Sequence, residues 1–174
     1  MPGSAIEIID SVRAISKKEH STRGLANLNE LIREVLVLIE PDLQSHHIAV
    51  RTTYDEMIPE VQADRVQLRQ VILNLITNAI EAMSSVIDRP HVLHLKTEVD
   101  GSQNIVITVQ DSGTGIDPEN VERIFDQFFT TKTQGMGMGL AICRSIIEAH
   151  NGRLWAEAGL DRGSLFRISL PVNG

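Results

Sequence analysis

A line of amide and carboxylate side chains runs along one predicted helix. Gln67, Gln70, Asn74, Asn78 and Glu81 are separated by three or four residues, which places them on one helical face. Asparagine is a poor helix former, so these amides are unusual at such positions. The line indicates either a solvated face or a partly enclosed one. In the second case its neutral amide oxygens would ligate a hard divalent cation together with phosphates and water.

A second candidate site, at residues 111–116, directly follows a predicted strand. The carboxylate of Asp111 stands at the strand end, where it can accept a hydrogen bond from an exocyclic amino group. Gly113 and Gly115 let the backbone approach a flat ring closely, because glycine has no Cβ. An ordinary glycine turn is the alternative, since a D-x-G-x-G pattern alone is weak.

Three alternating glycines form a third candidate site. Gly135, Gly137 and Gly139 lead into a predicted helix, with Met138 and Leu140 beside the last of them. Such a loop is costly to order, and it suits closure over phosphates next to helix N-terminal amides. A flexible linker is the alternative, although a linker would not normally run straight into an amphipathic helix. The spacing matches neither the dinucleotide fingerprint nor the P-loop.

The segment between the second and third sites, residues 124–132, holds three of the four phenylalanines of the chain. It indicates either a core segment or the aromatic anchor of a mobile lid, with Lys132 reaching a terminal phosphate. We predict that the lid, residues 128–138, is mobile when no phosphates are bound. Its Thr, Gln and Gly residues offer little apolar anchoring, which bound phosphates would replace.

The elements that must position these sites alternate irregularly. Apolar periodicity predicts helices at residues 4–18, 27–43, 64–83 and 139–149, with a further helix start at 117–119. Alternating patterns predict strands at residues 48–54, 61–63, 91–99, 104–111, 154–158 and 164–170. Asn27 or Asn29 is expected to cap the second helix, and Asp64 with Gln67 to form a capping box on the third. Hairpins without βαβ alternation predict a mixed, largely antiparallel sheet with helices on one face.

Composition narrows the class of protein. The 174 residues, 42% of them hydrophobic, suit one compact domain with a short extension. A single cysteine excludes an intramolecular disulfide and fits a reducing compartment. No apolar run is long enough for a transmembrane helix, and the N-terminus does not resemble a signal peptide. The net charge of -7 argues against a nucleic-acid or anionic-membrane surface but leaves a local anion site open.

Taken in order, these segments resemble the motifs of the catalytic and ATP-binding domain of two-component sensor histidine kinases. That domain belongs to the wider class shared with gyrase, Hsp90 and MutL ATPases. Residues 74–79 resemble the N box, 111–115 the G1 box, 125–129 the F box and 135–140 the G2 box. Residues 163–166 match the small-hydroxyl and Phe pattern of the last strand. Each box alone is weak, whereas four in the right order and spacing are specific.

The resemblance implies a Bergerat-type α/β sandwich, with a mixed, mostly antiparallel five-stranded sheet and about three helices on one face. It also implies ATP and Mg²⁺ as cofactors. Asp111 would accept from the adenine amino group with Ser164 behind it, and Asn78 would ligate Mg²⁺. Asn74, beside the phosphates, and Lys132, at the γ-phosphate, would be the catalytic residues. The implied nucleotide-binding residues are Asn74, Asn78, Asp111, Gly113, Gly115, Ile116, Lys132, Gly135, Gly137, Met138, Gly139, Leu140 and Ser164.

The implied reaction is γ-phosphoryl transfer to a histidine, achieved by positioning and charge neutralisation. Three departures from the family pattern stand out. Glu81 occupies a place where many members carry Lys, and Gln127 a place where the F box usually has Pro. None of the six histidines is followed by the acidic residue and later Pro of a phosphoacceptor box. His20, after the first predicted helix, is better interpreted as a surface or loop histidine.

The missing acceptor defines the expected domains and partners. We expect residues 1–24 to be a remnant of a dimerisation hairpin with its linker, and residues 25–174 to be the catalytic domain. The implied partners are ATP, the dimerisation and phosphoacceptor domain of the same kinase and, indirectly, a response regulator. We expect a cytoplasmic segment, monomeric or weakly dimeric, that contacts neither nucleic acid nor membrane, whether or not the full-length protein is membrane-anchored.

Two other functions stay open at this stage. An ATP hydrolase or molecular clamp of the gyrase, Hsp90 or MutL type would carry a Glu at the position of Asn74 to orient the attacking water. A regulatory module would bind nucleotide without catalysis. Serine-kinase relatives such as anti-sigma factors share the site, but they usually lack the aromatic run at residues 125–129.

Overall fold

The computed structural model describes residues 22–129, 139–159 and 161–173. The predicted helix at residues 4–18 lies outside these ranges, as do residues 130–138 of the glycine loop. The elements are β1 (Gly24–Ala26), α1 (Leu28–Ser45), β2 (Ile48–Tyr54), β3 (Val61–Ala63), α2 (Arg65–Ser84), β4 (His91–Val99), β5 (Asn104–Asp111), α3 (Gly139–Ala149), β6 (Arg153–Ala158) and β7 (Ser164–Pro171). Two short 3₁₀ turns, Pro118–Asn120 and Arg123–Phe125, lie between β5 and α3.

Five strands form one mixed sheet in the order β2-β4-β5-β7-β6. Two hairpins, β4–β5 and β6–β7, meet where β5 pairs antiparallel with β7. Strand β2 pairs parallel with β4, because the chain crosses through β3 and α2 before it returns to the sheet. The three helices and this mixed sheet confirm the predicted two-layer α/β fold.

The core lies between the helices and one face of the sheet. Ile105, Ile107 and Val109 alternate along β5 and are at most 1% exposed, while Val71 and Leu75 of α2 are fully buried. Burying a large aliphatic side chain contributes roughly 1.5–3 kcal/mol relative to leaving it exposed. We call the side of the sheet that packs against the helices the inner face, and the opposite side the outer face. Asp111 shares the inner face with Ile107 and Val109 because strand residues alternate.

Helix α2 begins at the predicted acidic cap. The side chain of Asp64 accepts from the N–H groups of Val66, at 3.0 Å, and Gln67, at 3.1 Å. The Asp64 N–H, from which a capping-box glutamine would accept, donates to Nε2 of His150 at 3.0 Å. The second half of the cap is therefore supplied by the residue that follows α3. This bond fixes the start of α2 to the end of α3.

Helix α1 is capped by Asn27, whose side chain accepts from the N–H of Glu30 at 3.2 Å. Asn29 instead is buried, and its amide donates to the carbonyl of Asp55 while it accepts from the Thr97 hydroxyl. The helix continues through Pro41 to Ser45, slightly beyond the predicted end. The proline removes one backbone hydrogen bond on a side of the helix where Val37 is 72% exposed, so water can satisfy the freed carbonyl.

Strand β1 was not predicted from the sequence. Its three residues pair antiparallel with β3 in a separate small sheet, and Arg23 just before it donates to the carbonyl of Ala149. The three residues of β1 carry too little alternation to distinguish a strand from a loop, and their pairing depends on distant residues. None of the helices among the described residues combines the length and the apolarity needed to cross a bilayer.

Candidate functional site

The carboxylate of Asp111 occupies the end of β5, directly opposite Ser164 on β7. Oδ2 accepts from the Ser164 hydroxyl at 2.6 Å, and Oδ1 accepts from the Gly113 N–H at 2.8 Å. The residue is only 3% exposed, and this burial raises the pKa of the carboxyl while the two hydrogen bonds act in the opposite direction. An ionised carboxylate has about four acceptor positions, so lone pairs remain for a further donor.

Glycines surround this carboxylate because other backbones leave no room. A Cβ on Gly113 would lie 2.7 Å from the carbonyl oxygen of Ala82 on α2. Gly115 and Gly163 both have a φ of +84°, and a Cβ on Gly163 would lie 2.0 Å from the carbonyl oxygen of Asp111. The turn after β5 is therefore packed directly on α2 on one side and on the β6–β7 hairpin on the other.

A second cluster lies where α2 meets the start of α3. Asn74 is 8% exposed, and its Nδ2 donates to Sγ of Cys143 at 3.5 Å. A Cβ on Gly139, the first residue of α3, would lie 4.0 Å from the same Nδ2. The N-terminal end of α3, which carries partial positive charge, therefore adjoins Asn74. Burial raises the pKa of the Cys143 thiol to about 12, so this group stays protonated and is no nucleophile.

The structure brings most of the described candidates into these two clusters. Asp111, Gly113, Gly115 and Ser164 form the first, and Asn74 and Gly139 form the second. Asn78 lies one turn after Asn74 on α2 and is half-buried, while Ile116 and Leu140 pack partly against the core. Both clusters are attached to α2, the first through Ala82. The other candidates, Lys132, Gly135, Gly137 and Met138, lie outside the described residues.

The aromatic segment divides between core and surface. Phe125 is 5% exposed and meets Phe166 edge to face, with ring centroids 6.4 Å apart. Phe128 is 67% exposed and has a φ of +66°. Phe125 therefore confirms the core interpretation for its own position. The predicted mobility of residues 128–138 falls mostly outside the described residues and stays a prediction.

Arg89 and Gly163 have roles in the site that the sequence did not reveal. Arg89 donates from Nε to the carbonyl of Ser112 at 2.9 Å and from Nη2 to that of Gly113 at 2.5 Å. No pattern marks a loop arginine that binds backbone carbonyls. Gly163 fell inside the motif of the last strand, but only its positive φ and its contact with Asp111 explain why it is glycine.

The donors available to a metal are amides rather than carboxylates. Within residues 22–129, 139–159 and 161–173, no three His, Cys, Asp or Glu side chains gather in a way that could hold a metal ion. Asn74 and Asn78 carry amide oxygens one turn apart on α2, and Asn74 adjoins the start of α3. A hard divalent cation bound there would need most of its ligands from phosphate and water.

Residues 63–174 match the family described as histidine kinase-, DNA gyrase B- and HSP90-like ATPase. The chain belongs to this family, and its fold, the carboxylate framed by glycines and the amides on the helix agree with that membership. The individual relatives indicate a narrower class within the family. The chain is 39% identical over 165 residues to sensor histidine kinase ZraS of Salmonella typhimurium, across 95% of this chain and 35% of ZraS. It thus spans about a third of the length of the curated relatives it matches.

Solved structures agree with these relatives. The nucleotide-free catalytic domain of histidine kinase ThkA superposes with a TM-score of 0.77 at 39% identity, over 87% of this chain and 96% of that one. ThkA in complex with the response regulator protein TrrA matches with a TM-score of 0.76 at 34% identity, over 97% of this chain and 48% of that one. The chain is thus the ATP-binding catalytic domain of a sensor histidine kinase, as the sequence motifs indicated.

Proposed function

We propose that this chain binds Mg-ATP and transfers the γ-phosphoryl group to a histidine on a dimerisation domain outside it, within two-component signal transduction. The observation that carries the proposal is the carboxylate of Asp111. It is buried, it is fixed by Gly113 and Ser164, and it keeps acceptor capacity for one more donor. Residues 25–174 are the proposed catalytic domain, which includes both clusters.

Adenine recognition follows from the first cluster. The 6-amino group of adenine donates to Asp111, whose orientation the Ser164 hydroxyl maintains. Gly113 and Gly115 allow the flat ring to approach the backbone, and Ile116 supplies an apolar contact. The buried carboxylate keeps acceptor positions beyond those used by Gly113 and Ser164, so the site favours a base that carries an amino group.

Phosphate binding follows from the second cluster together with the glycine loop. Asn74 and the N-terminal amides of α3 at Gly139 and Leu140 face the phosphates, and Asn78 supplies an amide oxygen for Mg²⁺. Bound Mg²⁺ would neutralise charge on the phosphates. The remaining proposed contacts are Lys132 at the γ-phosphate and the backbone at Gly135, Gly137 and Met138.

Phosphoryl transfer is favoured over rapid hydrolysis by the chemistry of Asn74. A hydrolase of this family needs a general base there, and a neutral amide cannot take a proton from water. The Asn74 amide is also held in place on both sides, because Nδ2 donates to Cys143 while Oδ1 accepts from Gln70 at 3.3 Å, and Nδ2 carries a second N–H that can donate to the phosphates. A water-activating role at this position is therefore disfavoured.

The proposed partners are the dimerisation and phosphoacceptor domain of the same kinase and, through it, a response regulator. The ThkA relative, which binds the response regulator TrrA, supports the second partner. We further propose that the segment acts in the cytoplasm, without nucleic-acid or membrane contact, as a monomer or weak dimer. Light scattering over a range of concentrations tests the last point.

Nucleotide titration calorimetry tests the site. Asp111→Asn is expected to weaken ATP binding by about 10–150-fold, since a hydrogen bond to a charged group is worth roughly 1.5–3 kcal/mol. Asp42→Asn, on the exposed side of α1, is the matched control and should bind ATP like the wild type. Asn78→Ala should remove the gain in affinity that Mg²⁺ gives over EDTA. Unchanged ATP binding by Asp111→Asn would show that the adenine assignment is wrong.

Phosphoryl transfer requires a separate assay. The chain is mixed with Mg-ATP labelled at the γ-phosphate and a hairpin fragment that carries an acceptor histidine. Acid-labile, base-stable label on the fragment is the expected result. Tight ATP binding without such label across cognate-like fragments would indicate a regulatory nucleotide-binding module instead.

A further inference from the structure

Arg89 binds the turn after β5 that contains Gly113, on the side of the turn opposite Asp111. Its guanidinium donates to two successive carbonyls, those of Ser112 and Gly113, at 2.9 and 2.5 Å. The Arg89 side chain is 23% exposed, so these bonds are shielded from most of the solvent. Among the described residues, the N–H of Gly113 and the hydroxyl of Ser164 donate to Asp111. The same peptide segment is therefore held by Arg89 on one side and by Asp111 on the other.

The neighbouring segment reinforces this attachment. Ser112 accepts through Oγ from the N–H of Val92, at 2.8 Å, and lies 3.0 Å from the carbonyl oxygen of Pro90, to which its hydroxyl donates. Residues 89–92 and the turn after β5 are thus joined by side chains from both directions. A movement of the Arg89 loop would therefore displace the Gly113 N–H relative to Asp111.

An ion pair extends the attachment to the β6–β7 hairpin. Nη1 of Arg89 lies 3.0 Å from Oδ1 of Asp88, and Oδ2 of Asp88 lies 2.9 Å from Nη1 of Arg162. Arg162 directly precedes Gly163 and Ser164, the second protein donor to Asp111. The Arg162 and Asp88 side chains are 65% and 59% exposed, so their pair contributes little energy. Arg89, the most buried of the three, is the essential member.

These residues line a cavity of about 520 Å³ behind Asp111. Arg51 lines the same cavity from β2, where its backbone pairs with β4, and its side chain forms no hydrogen bond or ion pair with the described residues. Asp111 itself points its carboxylate to the inner face, away from this cavity. The cavity thus provides an arginine that holds the recognition turn and another, equally charged arginine that does not.

We propose that Arg89 is a positioning residue for adenine recognition, which fixes the Gly113 N–H against Asp111 by holding the Ser112 and Gly113 carbonyls. The inference rests on the proposed function, because it assumes that Asp111 receives the adenine amino group. A planar guanidinium is required, since it reaches two carbonyls and Asp88 together. A lysine ammonium at this position is a point charge on a flexible stem and cannot hold the same fork geometry.

Base selectivity is the readout that separates positioning from general stability. ATP is compared with purine riboside triphosphate, which lacks the 6-amino group, by calorimetry on the wild type and on Arg89→Ala, Arg89→Lys, Arg51→Ala and Asp111→Asn. Loss of one to two kcal/mol corresponds to a factor of about 5–30 in an equilibrium. Arg89→Ala is therefore expected to reduce the preference for ATP about 5–30-fold, with purine riboside triphosphate bound nearly as before. Arg89→Lys should lie between, and Arg51→Ala should match the wild type.

The possible outcomes distinguish the positioning role of Arg89 from the adenine-binding role of Asp111. A partly unfolded Arg89→Ala would lower the binding stoichiometry without altering the ratio of affinities, and Arg89→Lys then decides. If Asp111→Asn loses the ratio while both Arg89 variants keep it, the positioning role is wrong and the adenine site stands. If Asp111→Asn keeps the ratio, the adenine assignment itself is wrong, and the role of Arg89 falls with it. An equal loss in Arg51→Ala would assign the effect to cavity charge and overturn the inference.

Discussion

Replacing Gly163 with alanine should damage the site more than the addition of one methyl group suggests. The new Cβ would lie 2.0 Å from the carbonyl oxygen of Asp111, 2.9 Å from its carbonyl carbon and 3.1 Å from Cα of Ser112. All three are backbone atoms at the end of β5, which is paired on both sides. No side chain can rotate to make room, so the backbone of the β6–β7 hairpin has to move.

The expected loss in the free energy of unfolding is the sum of a backbone-strain cost and an overpacking cost. A non-glycine residue at a φ of +84° costs about 1–3 kcal/mol, and overpacking typically costs roughly a further 1–3 kcal/mol. The free energy of unfolding should therefore fall by about 4 kcal/mol, within a range of about 2–6. For a domain of this size, about 4 kcal/mol corresponds to a decrease of roughly 8–16 °C in Tm. ATP binding by the folded fraction should weaken as well, because the displaced backbone carries Asp111 and Ser164.

Urea unfolding followed by circular dichroism measures the first effect, and calorimetry with ATP the second. Gly101→Ala is the matched control, because no atom lies within 4 Å of its added Cβ in the β4–β5 turn. It should change stability by less than about 1 kcal/mol. A Gly163→Ala protein as stable as the Gly101→Ala protein, with unaltered ATP affinity, would refute the packing argument.

Two further predictions concern the contacts of α3. Burial lowers the pKa of His150, whose Nδ1–H donates to Ile146 and whose Nε2 accepts from Asp64, with Arg23 and the Asp64 carboxylate as the charged neighbours. In the unfolded chain the His150 imidazole is protonated near pH 6.5, whereas in the folded chain protonation requires a lower pH. The contribution of neutral His150 to stability is therefore complete above about pH 6.5 and is lost as the pH falls further. Urea unfolding from pH 5 to 7.5 should show a smaller pH slope for His150→Gln, and parallel curves would contradict this. Cys143 is fully buried and its pKa is raised to about 12, so it should resist alkylation at pH 8 in the native state. The thiol should react after unfolding in urea. Rapid labelling of the native protein would contradict the burial of Cys143.

The sequence predicts the sheet well because its strands pair through local patterns. Alternation marks both arms of the β4–β5 and β6–β7 hairpins, and short turns leave little freedom in how the arms pair. The Asp111 and Ser164 pair lies between the two hairpins, on β5 and β7, and only the resemblance to the family motifs indicated it in advance. The acidic cap of α2 is equally local, since Asp64 needs only the amides two and three residues on.

The contacts that the sequence does not reveal depend on long side chains or on distant backbone. Arg89 meets carbonyls more than twenty residues away, and no pattern states which carbonyl an arginine reaches. His150 completes the cap of α2 from the far end of α3. Strand β1 exists because β3 lies beside it, since three residues have no stable strand structure alone. Lys132 and the glycines at 135 and 137 stay predictions, because residues 130–138 lie outside the described structure.

The meeting of two hairpins at the Asp111 and Ser164 pair has a consequence for folding. Each hairpin can form from nearby residues, whereas the hydrogen bond between these two side chains joins positions 53 residues apart. The Asp111 carboxylate therefore acquires its orientation only when β5 and β7 dock, which is a late event if local structure forms first. With the role proposed for Asp111, nucleotide would bind only the docked arrangement, and ATP would draw the chain toward it by mass action. A chain in which the two hairpins are unpaired would lack the proposed base site. Binding of ATP would therefore report that β5 and β7 have docked.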